Sequence, residues 1–194
     1  MPENGCLDLT NQRINLTAIQ TNAFQVTFSR IKVLKLGFNY LDNDGTVLIA
    51  ELMASCHNIT TVDLGFNNVG DDGACALGTQ LSGHRSLNTL YLSGNNISYI
   101  GCSAISNMVR FNSVLKRLYL SGNKIGSIGA RELASALQAG KSLIALDISS
   151  CGIGSEGFLH IADAIKSSGT LRELNLVGAC MPSLSCCSSS LRAS

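Results

Sequence analysis

Hydrophobic positions in this chain recur on a fixed step. Leu34, Val62, Leu90, Leu118, Leu146 and Leu174 stand 28 residues apart, and a second apolar column follows two residues later at Leu36, Leu64, Leu92, Leu120, Ile148 and Leu176. Five residues after the first column come Asn39, Asn67, Asn95 and Asn123, then Cys151 and Ala179. An apolar column two further on holds Leu41, Val69, Ile97, Ile125 and Ile153. Leu7, Leu9, Gln12 and Ile14 keep these offsets, one residue short of a full period before Leu34. A period of this size marks a stacked repeat.

Each unit predicts a strand and then a helix. In Leu-x-Leu alternate side chains share a face, so Leu34 and Leu36 point inward and Lys35 outward. A glycine column, Gly45, Gly73, Gly101, Gly129 and Gly157, then opens a stretch with apolar residues four and eight positions on, Leu77/Leu81 and Leu133/Leu137 among them, which is one stripe of a short helix. A small residue follows the first stripe position, at Ala50, Gly78, Ser106, Ala134 and Ala162, and is expected to let each helix approach the sheet. Repeated in one direction, strand and helix give a parallel sheet on the concave face and helices on the convex face. The asparagine amide suits the turn after each strand, where backbone groups lack a ladder and their burial without a partner costs about 1–3 kcal/mol. Cys151 is a weaker donor and Ala179 none, so the polar ladder is expected to fail by the last repeat.

Leu90-Tyr-Leu-Ser-Gly-Asn95-Asn-Ile97, with Gly101 opening a helix, resembles the ribonuclease-inhibitor type of leucine-rich repeat. The resemblance covers about residues 6 to 178 and implies an α/β leucine-rich repeat solenoid of about seven units. It also implies recognition of a macromolecule along the concave sheet. The class includes the ribonuclease inhibitor, the sensor region of NOD-like receptors, the Ran GTPase-activating protein and tropomodulins, so fold analogy alone does not choose a partner.

Composition narrows the partner. Of 194 residues 45% are hydrophobic and 14% charged, and the formal net charge is +1. So even a balance gives little long-range attraction to nucleic acid or anionic lipid. No apolar run approaches the roughly 18–20 residues of a membrane span, and the first residues lack the basic and apolar regions of a signal peptide. A cytoplasmic protein is expected, with a protein partner and neither nucleic acid nor membrane.

The outward strand column reads Lys35, Asp63, Tyr91, Tyr119, Asp147 and Asn175, with Arg117 in the column beside it. Tyr91 and Tyr119 should lie on adjacent strands, flanked by Asp63 and Asp147. Tyrosine and arginine bury large area with a polar handle, the chemistry of binding hot spots, and Asp63, Tyr91, Arg117, Tyr119 and Asp147 are the expected partner-binding residues. Phe38 and Phe66 share a column after their strands and are expected to seal the array. The eight cysteines read as thiols of a reducing compartment, because the chain lacks a secretion signal and Cys75 and Cys102 fall in helices of separate repeats.

No site for a metal, cofactor or reaction emerges. Cys180, Cys186 and Cys187 have no zinc-ligand spacing, and Gly140-Lys141-Ser142 lacks the upstream glycine of a phosphate loop. His57, His84 and His160 face no nucleophile at hydrolase spacing. The expected function is a non-enzymatic interaction module, with a section of a longer receptor-like array as one form of it. The alternatives are a small-GTPase regulator, although Arg13, Arg30, Arg85 and Arg110 sit in no recognisable arginine loop, and a ligand-sensing fragment of NOD-like type. The domain is expected to span 1–178, followed by a disordered Ser- and Cys-rich tail at 179–194. Open strand edges would leave self-association as a further expectation.

Overall fold

The computed structural model describes residues 5–20, 30–179 and 191–192. Seven three-residue strands lie parallel in one sheet: β1 (Cys6–Asp8), β2 (Val33–Lys35), β3 (Thr61–Asp63), β4 (Thr89–Tyr91), β5 (Arg117–Tyr119), β6 (Ala145–Asp147) and β7 (Glu173–Asn175). The repeat is the register: Leu34 faces Val62, Val62 faces Leu90, and Leu90 faces Leu118. Behind the sheet stand α1 (Leu16–Ile19), α2 (Asn43–Ala54), α3 (Asp71–Leu81), α4 (Tyr99–Phe111), α5 (Gly126–Ala139) and α6 (Gly154–Ser167). The result is the α/β repeat solenoid expected from the sequence. One continuous apolar core runs from Ile19 to Ala179.

β8 (Leu191–Arg192) pairs antiparallel with the outer edge of β7. The segment expected to be a disordered tail includes these two residues. Cys180, Cys186 and Cys187 lie outside the described residues.

The strands are short because each must turn at once into a buried loop, and the asparagine column carries that turn. Asn95 Nδ2 donates to Leu64 O (2.9 Å) and Leu92 O (3.0 Å), while its Oδ1 accepts from Val69 N (3.0 Å). Asn67 and Asn123 repeat the arrangement one unit to either side. Each amide thus ties its own strand exit to the preceding repeat. At the next position Cys151 Sγ donates to Leu120 O (3.2 Å), and its sulfur is a weaker acceptor than the amide oxygen it replaces. Burial pushes the Cys151 thiol up to about 11, so it remains protonated and able to donate. Ala179 contributes backbone only, with its carbonyl accepting from Gly154 N (3.3 Å).

A second polar ladder lies at the opposite end of the strands. Buried His84 meets Cys56 O through Nε2 (2.8 Å), and its Nδ1 accepts from Leu87 N (3.1 Å), which makes Nε2 the protonated nitrogen. One repeat on, Asn112 Nδ2 donates to Leu81 O and His84 O, and Oδ1 accepts from Val114 N and Leu115 N. His84 therefore fastens the junction between repeats.

The starts of α3 and α4 are capped from the preceding repeat. Asn43 Oδ1 accepts from Gly70 N (2.8 Å), and Asp71 accepts from Ser98 N (2.8 Å), Gly101 N (3.0 Å) and Ser98 Oγ (2.6 Å). The next residue in that column is Tyr99, which has no such oxygen to offer the following helix, and α5 and α6 begin without a side-chain cap. A Cβ on Gly101 would stand 2.8 Å from both the Asp71 carboxylate and the Ala74 side chain, so this glycine is what lets the cap close. The small column acts differently from expectation at Gly78. A Cβ there would come within 2.6 Å of Ala104 O, so the missing side chain admits the neighbouring helix rather than the sheet.

Truncating Asn95 to alanine strands the buried Val69 N–H and leaves Leu64 O and Leu92 O with one amide donor each, from Asn67 and Asn123, and the unfolding free energy in urea should fall by about 1–3 kcal/mol. Cys151→Ala removes a single weak donor and should cost under about 1 kcal/mol. Asp71 gives a second test. Burial pushes its carboxyl up, but the hydrogen bonds from Ser98 and Gly101 outweigh that and hold it below the ordinary carboxylate value. A depressed folded pKa stabilises above the unfolded value of about 4 and is lost as the pH falls through the folded one. Urea unfolding of the native chain and Asp71→Asn should therefore differ at neutral pH and converge in acid.

Candidate functional site

The open face of the sheet is built from residues between the buried leucines. In register across four strands stand Asp63, Tyr91, Tyr119 and Asp147, the order expected from the repeat. The Tyr91 and Tyr119 rings are stacked, with centroids 4.5 Å apart and planes 5° from parallel. That spacing is close to the distance between adjacent strands, so the sheet itself sets the stack. Both rings are half-buried. Arg117 is exposed and lies between Thr89 and Ala145 in the next lane, both buried and short, so its guanidinium stands above its neighbours.

Burial raises the Tyr119 hydroxyl above the ordinary tyrosine value, with Tyr91 adding to the effect and Arg117 opposing it. A protonated tyrosine donates and accepts, so the pair offers two hydroxyls on a flat apolar platform.

The two flanking carboxylates have structural work as well. Asp63 Oδ1 accepts from Gly65 N (2.8 Å) and Asp147 Oδ1 from Ser149 N (2.9 Å), each closing the turn after its own strand. Asp63 also leans across Gly37, where a Cβ would meet its Oδ2 at 3.2 Å. Burial pushes the Asp63 carboxyl up, against the Gly65 hydrogen bond and Lys35. At the β1 end of the lane Lys35 pairs with Asp8 at 3.1 Å, and hydrogen bonds from Thr10, with Lys35 helping, hold Asp8 down to about 2. The lane is thus self-satisfied at that end, and Tyr91 and Tyr119 form its accessible middle, with Arg117 in the lane beside them.

Phe38 and Phe66 depart from their expected sealing role. Their rings are stacked at 4.4 Å and 8°, yet they are 56% and 52% exposed. Both have a left-handed backbone, φ 57° and 54°, in the column where later repeats place Gly94 and Gly122. For a residue with a side chain that conformation costs about 1–3 kcal/mol. Sequence reasoning placed the two rings together but could not see their exposure. The signal was the glycine in their column.

Among the described residues no three His, Cys, Asp or Glu side chains gather as metal ligands, and no helix is long and apolar enough to cross a membrane. Cys102 is buried, its thiol pushed up to about 12 by desolvation, with Sγ directed at Gly129 O (3.6 Å). It is poorly suited to act as a nucleophile, which needs an accessible thiolate.

A family model described as Leucine Rich repeat matches residues 55–78, 83–106, 111–134 and 141–162. No curated protein matches the chain in sequence. Among solved structures, Leiomodin-1 Actin-Binding Site 2 (ABS2) is similar in fold, with 17% identity and a TM-score of 0.56. That likeness covers 86% of this chain and 82% of the other.

Because Arg117 lowers the Tyr119 pKa, replacing it with methionine should move that titration further up. Spectrophotometric titration of the tyrosinate band should show the shift, and an unchanged curve would place Arg117 away from the ring.

Proposed function

Since the chain is a leucine-rich repeat solenoid, we propose that it is a non-enzymatic interaction module taking a partner protein on the concave face of its sheet. The stacked Tyr91 and Tyr119, with exposed Arg117 in the lane beside them, carry this reading. They bring the residue types of binding hot spots to the accessible centre of the sheet. Asp63 and Asp147 bound the lane and supply acceptors to a partner's donors. The stack fixes these side chains before contact, so little ordering is lost on binding.

A net charge of +1, with both Arg117 and carboxylates in reach, suits a protein surface better than a run of phosphates. The solved neighbour is itself an actin-binding segment; at 17% identity it supports the fold and leaves this chain's partner to its own side chains. A cytoplasmic setting, an array over 1–178 and a Ser- and Cys-rich segment over 179–194 complete the reading. Regulation of a small GTPase is less favoured, since Arg110 is occupied with Ser135 on the next helix (2.9 Å).

Tyr91→Ala/Tyr119→Ala should weaken a specific partner captured by the native chain by at least about thirtyfold, given about 2 kcal/mol or more at a hot spot. Unchanged affinity in calorimetry would move the site off the concave face. Stimulated GTP hydrolysis by a small GTPase would replace the module with an activating protein.

A further inference from the structure

The described surface holds a second aromatic pair with no structural debt to explain it. Phe38 and Phe66 keep a left-handed backbone where Gly94, Gly122 and then Ser150 serve the same turn in later repeats, and more than half of each phenylalanine's surface faces solvent. Tyr40, two residues beyond Phe38, is 60% exposed. A Cβ on Gly94 would lie 2.5 Å from the Phe66 ring, so the glycine of the next repeat makes room for the stack. Exposed Asn11 and Ser150 hold the same left-handed turn, so that backbone belongs to the repeat, and what is particular to Phe38 and Phe66 is a pair of large apolar rings set there in solvent.

Charge says what would cover it. From Leu36 to His84 there is no lysine or arginine, while six acids, Asp42, Asp44, Glu51, Asp63, Asp71 and Asp72, lie in that stretch. The overall charge of +1 conceals an acidic stretch in these repeats. Asp42 is the N-cap residue of α2, Asp44 lies in that helix's first turn, and Asp71 and Asp72 open α3. Both helix starts directly follow the loops that carry Phe38, Tyr40 and Phe66. Aromatic rings and carboxylates therefore share one rim, at the strand ends rather than on the concave face.

We propose that this rim, the Phe38–Phe66 stack with Tyr40 and the carboxylates of Asp42, Asp44 and Asp72, docks an extended basic segment of a partner protein. Arginine suits it on two counts. Its aliphatic stem covers exposed ring, and its guanidinium is attracted both to aromatic rings and to carboxylates. The inference is independent of the concave-face reading and can fail without it.

The test uses the full chain and a fluorescent decapeptide of alternating arginine and leucine, read by anisotropy at low and high salt. Binding should weaken as salt rises. Phe38→Gly/Phe66→Gly removes the rings and relieves the backbone, so its thermal midpoint should hold or rise while affinity drops at least about tenfold. Phe111→Ala, an equally bare phenylalanine on α4, should change nothing. The same peptide with glutamate for arginine should not bind. Unchanged affinity in the double variant, or equal binding of the glutamate peptide, overturns the proposal. A fall in its thermal midpoint would make the rings structural and overturn it too. So would concentration-dependent self-association of the native chain that the double variant abolishes, which would give the rim to a second copy.

Discussion

Each strand of this sheet ends in a turn that is buried inside the stack, and the polar backbone groups of that turn must find partners there. Everything else in the architecture is arranged around meeting that demand. An amide side chain answers it because it donates and accepts at once: Asn67, Asn95 and Asn123 each donate to carbonyls of their own and the preceding repeat and accept from a backbone N–H of the preceding one. The leucine columns supply the driving force for stacking, but leucine would pack in many registers. Directional bonds from one unit to the next select a single one.

The same logic of borrowing from the neighbour governs the helices and the far junctions. Asp71 caps a helix that is not its own, and His84 and Asn112 tie the return of one repeat to the next. A solenoid built this way is stabilised between units more than within them. Its regularity loosens where the chemistry runs out: Tyr99 replaces an acceptor, Cys151 replaces an amide, and α5 and α6 begin on Gly126 and Gly154 at positive φ without caps.

Two aromatic pairs stand on this scaffold in contrasting ways. Tyr91 and Tyr119 lie on ordinary strand backbone, where the pitch of the sheet stacks them at no conformational cost. Phe38 and Phe66 reach a nearly identical ring spacing from strained loop positions and stay largely in solvent. One pair occupies the middle of the sheet face beside Arg117. The other occupies the rim among carboxylates. Their charge surroundings differ, so the two surfaces suit different chemistries.

Much of this was legible in the chain alone. A period of 28 with apolar residues at fixed offsets determines strand, helix and register together, because only one stacking places every leucine inside. It also puts Asp63, Tyr91, Tyr119 and Asp147 in one lane. What the period does not carry is the direction in which a polar group bonds or the exposure of a ring. Asp63 and Asp147 turn back to close their own strands, Asp71 reaches across to a later helix, and His84 serves a junction. Phe38 and Phe66, apolar and aligned, look like core but remain at the surface. These outcomes depend on distances across repeats and on backbone conformation at single residues, which only the folded stack sets.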